Sequence, residues 1–131
     1  MTTSTKTGLR AAQVVAFVPT KNFKTAQKFY ESTLGLALIT KDDFALLFEA
    51  GGTRIRVVKV EKFKPAPFTI LGWRVTDVEQ TVATLAKSGI KFERFPGMNQ
   101  DAFGIWTAPS GARVAWFKDP DGNLLSIFQQ S

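Results

Sequence analysis

The feature that most constrains this chain is a recurrence: the element order strand, helix and three strands appears twice within 131 residues. Residues 13–18 form a β-branched and apolar run that ends at Pro19, and Asn22 stands where a helix N-cap belongs. Phe23, Ala26, Phe29 and Tyr30 then recur at helical spacing, so the period predicts a helix that stops at Gly35. Strand-like runs follow at 36–40, 44–49 and 54–60, with Gly51 and Gly52 turning between the last two. The order then returns. A strand at 68–75 precedes a helix capped by Asp77, which carries Val78, Val82 and Leu85 on one face and stops at Gly89. Strands at 90–92, 114–117 and 124–128 complete the second copy, the last two joined by the tight turn Asp119-Pro-Asp-Gly122. Residues 62–67, with two prolines, join the halves. The pattern predicts an α+β single domain over 1–131, built from βαβββ modules at 12–61 and 68–129. The second module carries an insertion, residues 95–110, rich in glycine, proline and aromatic side chains.

The chain has no histidine and no cysteine. Zinc, nickel, copper and iron sites lean on imidazole or thiolate, so the usual transition-metal ligands are missing. Disulfides are excluded, and nucleophilic triads lack their base. The hydrophobic share of 44% and charged share of 21% are those of an ordinary soluble globular protein. Met1 to Arg10 is Thr/Lys-rich without the apolar core of a signal peptide, and no apolar run approaches the roughly 20 residues of a membrane span. A cytoplasmic location without membrane attachment is the expectation. A net charge of +6 favours anionic partners. Lys21, Lys24 and Lys28 are spaced to share the outer face of a helix, and no nucleic-acid-binding motif is present. A small anionic ligand therefore fits better than nucleic acid.

Three motifs stand in order around the repeat: Phe17-Val-Pro-Thr-Lys-Asn-Phe23, then Phe29-Tyr30 with Leu34-Gly35-Leu36, and Phe117-Lys-Asp-Pro-Asp-Gly-Asn-Leu124. In this the chain resembles the vicinal oxygen chelate superfamily, which includes glyoxalase I, bleomycin-resistance proteins and extradiol dioxygenases, over nearly its whole length from about Ala12 to Phe128. The resemblance implies two modules whose strands curl into a mixed sheet around a cavity, and a homodimer. It also implies metal ligands on the first and last strand of each module. Placed by the motifs and the repeat, those positions hold Val15, Arg56, Ile70 and Ser126. None is a carboxylate or an imidazole, and an arginine repels a divalent ion without being able to deprotonate. Moving the register along the same face reaches only Gln13 as a possible ligand. No metal and no cofactor are therefore expected. An all-oxygen Mg²⁺ or Mn²⁺ site through Glu49, Asp42 or Asp43 is the alternative, although solvation is the commoner state of acids at strand ends.

Strand side chains alternate between faces. If Val15 and Ile70 point into the cavity, so do Phe17, Gly72, Arg74, Arg54, Arg56, Val58, Leu124, Ser126 and Phe128. Val14, Ala16, Val18, Ile55, Val57, Leu71, Trp73, Val75, Leu125 and Ile127 then face the helices, as an apolar set should. The expected cavity is aromatic and aliphatic, with Arg56 and Arg74 as its notable polar groups. Either protein acids satisfy these arginines or an anionic ligand does, through bidentate hydrogen bonds. Met98, Phe103 and Trp106 in the insertion suit a lid over the cavity, or equally a dimer contact or a cover on the core. Trp73 and Trp116 read as structural, and Tyr30 as packing with its hydroxyl near the surface. Ser126 has no evident activating base; Glu49 or Glu93 would serve as one if buried beside the cavity. The candidate ligand-binding set is Phe17, Arg56, Arg74, Met98, Phe103, Trp106, Ser126 and Phe128, with no catalytic residue singled out.

Three functions remain open on these residues. The first is a glyoxalase/bleomycin-resistance-like protein without a metal, binding a small anionic or aromatic molecule. The second is a metal-independent isomerase or lyase that uses arginine to stabilise an oxyanion. The third is a degenerate domain whose role is oligomerisation. Whether the chain is an enzyme is undecided at this level, and metal-dependent glyoxalase I or dioxygenase activity is not expected.

Overall fold

The computed structural model describes residues 8–131, so most of the segment read as lacking a signal core lies outside the described residues. The first module contains β1 (Val15–Thr20), α1 (Phe23–Gln27), β2 (Ala37–Lys41), β3 (Ala45–Ala50) and β4 (Thr53–Lys59). The second contains β5 (Leu71–Arg74), α2 (Val78–Lys87), β6 (Trp106–Thr107), β7 (Arg113–Lys118) and β8 (Leu124–Gln129). Each module is a four-stranded mixed sheet, in the orders β1-β4-β3-β2 and β5-β8-β7-β6. Within each sheet one parallel pair, β1 with β4 or β5 with β8, accompanies antiparallel neighbours. The expected βαβββ repeat is thus present as two separate sheets, with β1 and β5 each at an edge.

Both predicted helix caps form. The Asn22 side chain accepts from Thr25 N at 3.1 Å, and that of Asp77 accepts from Gln80 N at 3.1 Å. Past Gln27 the first helix widens into a π-helical segment, Lys28–Thr33, where Leu34 N donates to Phe29 O, five residues back, at 2.9 Å. A helical period cannot foretell that change of pitch. The second module differs more from expectation. Residues 90–92 make only an isolated bridge, Phe92 with Phe117, and the edge strand is β6 inside the insertion. The strand expected at 68–75 is confined to Leu71–Arg74.

The core lies between the modules. Val18, Leu46, Phe48, Ile55 and Val57 from the first sheet share one cluster with Ala115, Phe117, Leu125 and Ile127 from the second. Phe29 and Tyr30 reach both sheets: Phe29 meets Phe117 at 6.4 Å between ring centroids, and Tyr30 meets Phe48 at 5.8 Å. Burying an aromatic or aliphatic side chain of this size contributes about 1.5–3 kcal/mol, so the shared cluster is what holds the modules together. The helix-facing positions Val18, Ile55, Val57, Leu125 and Ile127 are buried, as alternation requires. Ala16, Leu71, Trp73 and Val75 are partly buried against the same cluster, and Val14 is 70% exposed because it precedes β1 and is not held by the sheet.

Candidate functional site

Because the inner faces of both sheets fill the core, the opposite faces carry the predicted site residues. On the first sheet Phe17 lies beside Arg56, and Arg56 beside Leu47. Phe17 is 64% exposed, which fixes this row as the open side. One step along the strands, Val15 neighbours Arg54 and Arg54 neighbours Glu49. Arg54 Nε approaches Glu49 Oε1 to 3.3 Å but outside hydrogen-bonding geometry, so the pair is ionic and this N–H has no acceptor. The ion pairs among the described residues are Arg54–Glu49, Arg113–Glu79 and Lys118–Glu93. Neither Arg56 nor Arg74 belongs to one.

On the second sheet the face away from the core carries two rows, partly covered, with Ser126 itself buried. Gly72 neighbours Ser126 and Ser126 neighbours Trp116; Arg74 neighbours Phe128, Phe128 neighbours Val114, and Val114 neighbours Trp106. A Cβ on Gly72 would stand 2.8 Å from Ser126 Oγ, so glycine leaves the serine hydroxyl its space. Phe95, Trp106 and Trp116 make an aromatic wall here, with Trp116 at 5.4 Å from Phe95 and 6.2 Å from Trp106. Trp116 was expected to be structural; counting outward from buried Ala115 and Phe117 would have put it on this face. Trp73 is structural, stacked on Phe117 at 6.4 Å.

The structure thus groups Phe17 with Arg56 on one sheet, and Arg74, Ser126, Phe128 and Trp106 on the other. Arg56 and Arg74 stand on different sheets. Arg74 borders a cleft between the Gly51 turn and β5. Met98 and Phe103 sit on the insertion, Phe103 exposed. That insertion is tied down. The Gln100 amide donates to Glu93 O at 3.0 Å and Gly104 O at 2.8 Å while accepting from Phe95 N at 2.8 Å. The Asp101 carboxylate accepts from Phe103 N and Ile105 N, and Ile105 is buried in the core.

Of the acids considered as bases or ligands, Asp42, Glu49 and Glu93 have other work. Asp42 accepts from Phe44 N at 2.8 Å and Ala45 N at 2.9 Å, and these bonds, aided by the charge of Arg56, hold its carboxyl below the usual range. Glu49 faces Arg54, and Glu93 lies 3.9 Å from Lys118 Nζ. Tyr30 contradicts expectation outright. It is 1% exposed, and its hydroxyl donates to Asp119 Oδ2 at 2.6 Å across 89 positions of sequence. Asp119 also accepts from Asn123 Nδ2, Asn123 N and Asp121 N at 2.9 Å each, and Asn123 Nδ2 donates to Pro19 O at 3.0 Å. Thr20 Oγ1 donates to Asp121 Oδ2 at 2.6 Å. Burial raises the Asp119 carboxyl above its ordinary value despite the opposing hydrogen bonds, and burial followed by the Asp119 charge drives the Tyr30 hydroxyl upward. The two sequence motifs, Phe29-Tyr30 and Asp119-Pro-Asp-Gly-Asn123, are therefore halves of one buried clasp between modules.

Residues 10–127 match the model of the Glyoxalase/Bleomycin resistance protein/Dioxygenase superfamily. The chain belongs to that superfamily. It is 28% identical over 123 residues to the uncharacterized protein YraH of Bacillus subtilis (strain 168), covering 82% of this chain and 90% of that one. A glyoxalase family protein from Bacillus anthracis superposes with a TM-score of 0.72 at 20% identity, over 91% of this chain and 94% of that one. The bleomycin-binding protein complexed with bleomycin superposes with a TM-score of 0.70 at 21% identity, over 91% and 98%. At such identities the solved structures speak for the fold.

For this superfamily chain, the four positions expected to supply metal ligands present two hydrocarbons, one fixed cation and one hydroxyl: Val15, Ile70, Arg56 and Ser126. That donor set does not fit a divalent ion. Among the described residues no three Asp, Glu, His or Cys side chains gather where they would hold one. Likewise, no helix there is long and apolar enough to cross a membrane.

Proposed function

We propose that this superfamily member is a metal-free binding protein for a small, anionic, partly aromatic organic molecule. One observation carries the reading: Arg56 lies on an open sheet face beside Phe17, outside every ion pair found among the described residues. A guanidinium on an apolar face is satisfied most economically by a bidentate carboxylate or phosphate. Arg74, Ser126 and Phe128 with the Trp106–Trp116 wall supply the opposite surface, on which a planar group can stack. Met98 and Phe103, on the insertion, would cover it from the side. Because Arg56 and Arg74 stand on different sheets, a homodimer that opposes the first sheet of one copy to the second sheet of its partner would complete the cavity. The bleomycin-binding neighbour lends support to a small-molecule role, while the net charge of +6 argues for a ligand of opposite sign. A cytoplasmic location goes with this reading, without nucleic acid or membrane as partner. The isomerase or lyase alternative gains no specific support, since the carboxyl that burial raises, Asp119, is committed to the inter-module clasp.

The experiment is calorimetric titration with phenyl phosphate and benzoate of wild type and Arg56→Met. Hydrogen bonds to a charged group contribute about 1.5–3 kcal/mol, so binding should weaken roughly 10- to 150-fold with the fold retained. Equal affinities for a probe that verifiably binds would reject the arginine's role. Elemental mass spectrometry after incubation with Mn, Fe, Ni and Zn tests the other half, and near-stoichiometric retention of a metal would overturn it. Light scattering on a sizing column tests the dimer.

A further inference from the structure

On the inner side of the second sheet, away from Ser126 and Phe128, a cavity of about 160 Å³ lies between the modules. Its walls come from three places: Leu34 and Leu36 at the exit of the π-helical segment, Trp73 and Phe117 from the sheet, and Leu85 from α2. The lining is apolar apart from Thr81, and the Thr81 hydroxyl is already used, donating to Asp77 O at 2.8 Å. The lining offers no charge and no free donor, only the acceptor lone pairs of the Thr81 hydroxyl. The cavity opens to solvent on one side: Phe117 and Ile127 at its floor are buried, while Leu34, Leu36, Trp73 and Leu85 are partly exposed. Here the gap has a visible cause. The wide turn carries Leu34 and Leu36 outward, pinned by Leu34 N to Phe29 O at 2.9 Å and Leu36 N to Tyr30 O at 3.0 Å, so the two leucines cannot close on Trp73. Across the gap, Trp73 and Phe117 present a stacked pair inclined by 20°, which is a flat wall.

We propose that this cavity is a second ligand site, for an uncharged aromatic ring or a branched hydrocarbon group of comparable size. Its volume is close to the roughly 150 Å³ of an engineered apolar cavity that takes up benzene or xenon, with the difference that here one side is open to solvent and gives a ligand its way in. Flat aromatic walls favour an offset or edge-on ring, and the lack of any charged partner disfavours carboxylates, phosphates and ammonium groups. The site is independent of the open-face reading: it uses the opposite side of the sheet, and either can fail alone. Ile127, between Ser126 and Phe128 in β8, points into it, so occupancy of the inner cavity bears on a strand that also forms the outer face.

The test is methyl NMR of the intact protein titrated with benzene, and under xenon pressure. Saturable shifts are expected at the methyls of Leu34, Leu85 and Ile127, with none at Val15 and Val58 on the open face of the first sheet. Leu85→Phe, which fills the space, should abolish them; Thr81→Leu does the same from the other end if the first variant folds poorly. Absence of shifts in the wild type at benzene saturation would overturn the proposal. So would shifts confined to Val15 and Val58, or shifts that persist in a folded filled variant.

Discussion

Removing the Tyr30 hydroxyl tests the clasp most directly. In Tyr30→Phe the ring keeps its packing, edge-on to Phe29 at 5.1 Å and tilted against Phe48 at 5.8 Å, and only the 2.6 Å bond to Asp119 is lost. A hydrogen bond to a charged acceptor contributes about 1.5–3 kcal/mol, and here three other donors still satisfy the carboxylate, so the lower half of that range is expected. For a chain of this length 1 kcal/mol moves the midpoint by roughly 3–5 °C, so Tm should fall by about 5–10 °C near neutral pH. The pH dependence adds a second constraint. Asp119 has a folded pKa above its unfolded one, so the folded chain holds the proton more tightly. Its contribution to stability is full below the unfolded value and declines as pH rises through the folded one. The Tyr30 bond favours the ionised form, so its loss pushes the folded pKa higher still. The deficit of Tyr30→Phe must therefore widen as pH rises from the acid side through that window, then level off. Urea titrations of both proteins across this range read the deficit directly. A cost under about 0.5 kcal/mol, typical of an inconsequential surface change, or one that does not vary with pH, would refute the assignment of Asp119 as the buried ionised partner.

Asp119→Asn should abolish the corresponding slope in stability with pH while lowering stability at neutral pH by about 1–3 kcal/mol, because the amide offers one acceptor oxygen where two are used; chemical denaturation at several pH values checks both. Gly104→Ala should destabilise the insertion by about 1–3 kcal/mol, since φ is +88° and an added Cβ would press to 3.3 Å from Phe92 Cβ; limited proteolysis within residues 95–105 reads the loosening. Gln100→Ala removes three hydrogen bonds from the same loop and should speed amide exchange at Phe95, with little change in global unfolding. Arg56→Met should lower affinity for an anionic aromatic probe while leaving the unfolding free energy within about 0.5 kcal/mol of wild type in urea titration, because the side chain has no ion-pair partner to strand.

The sequence by itself determined the elements of local origin. Strand alternation put Val18, Ile55, Val57, Leu125 and Ile127 on the helix-facing side and Phe17 on the opposite face, where it is exposed, and Asn22 and Asp77 capped their helices as their chemistry dictates. The twofold βαβββ order and the family followed from that periodicity together with three motifs. The tertiary structure decided what depends on contacts between distant residues. It alone joined Tyr30 to Asp119, widened the first helix into a π-turn, moved the edge strand of the second module from 90–92 to Trp106–Thr107, and put Arg56 and Arg74 on separate sheets. The physical reason is range. Periodicity and capping act over a few residues and leave their mark in neighbouring letters. The burial of a carboxylate, a gap beside Trp73 and the pairing of two sheets are set by which surfaces meet when the modules pack.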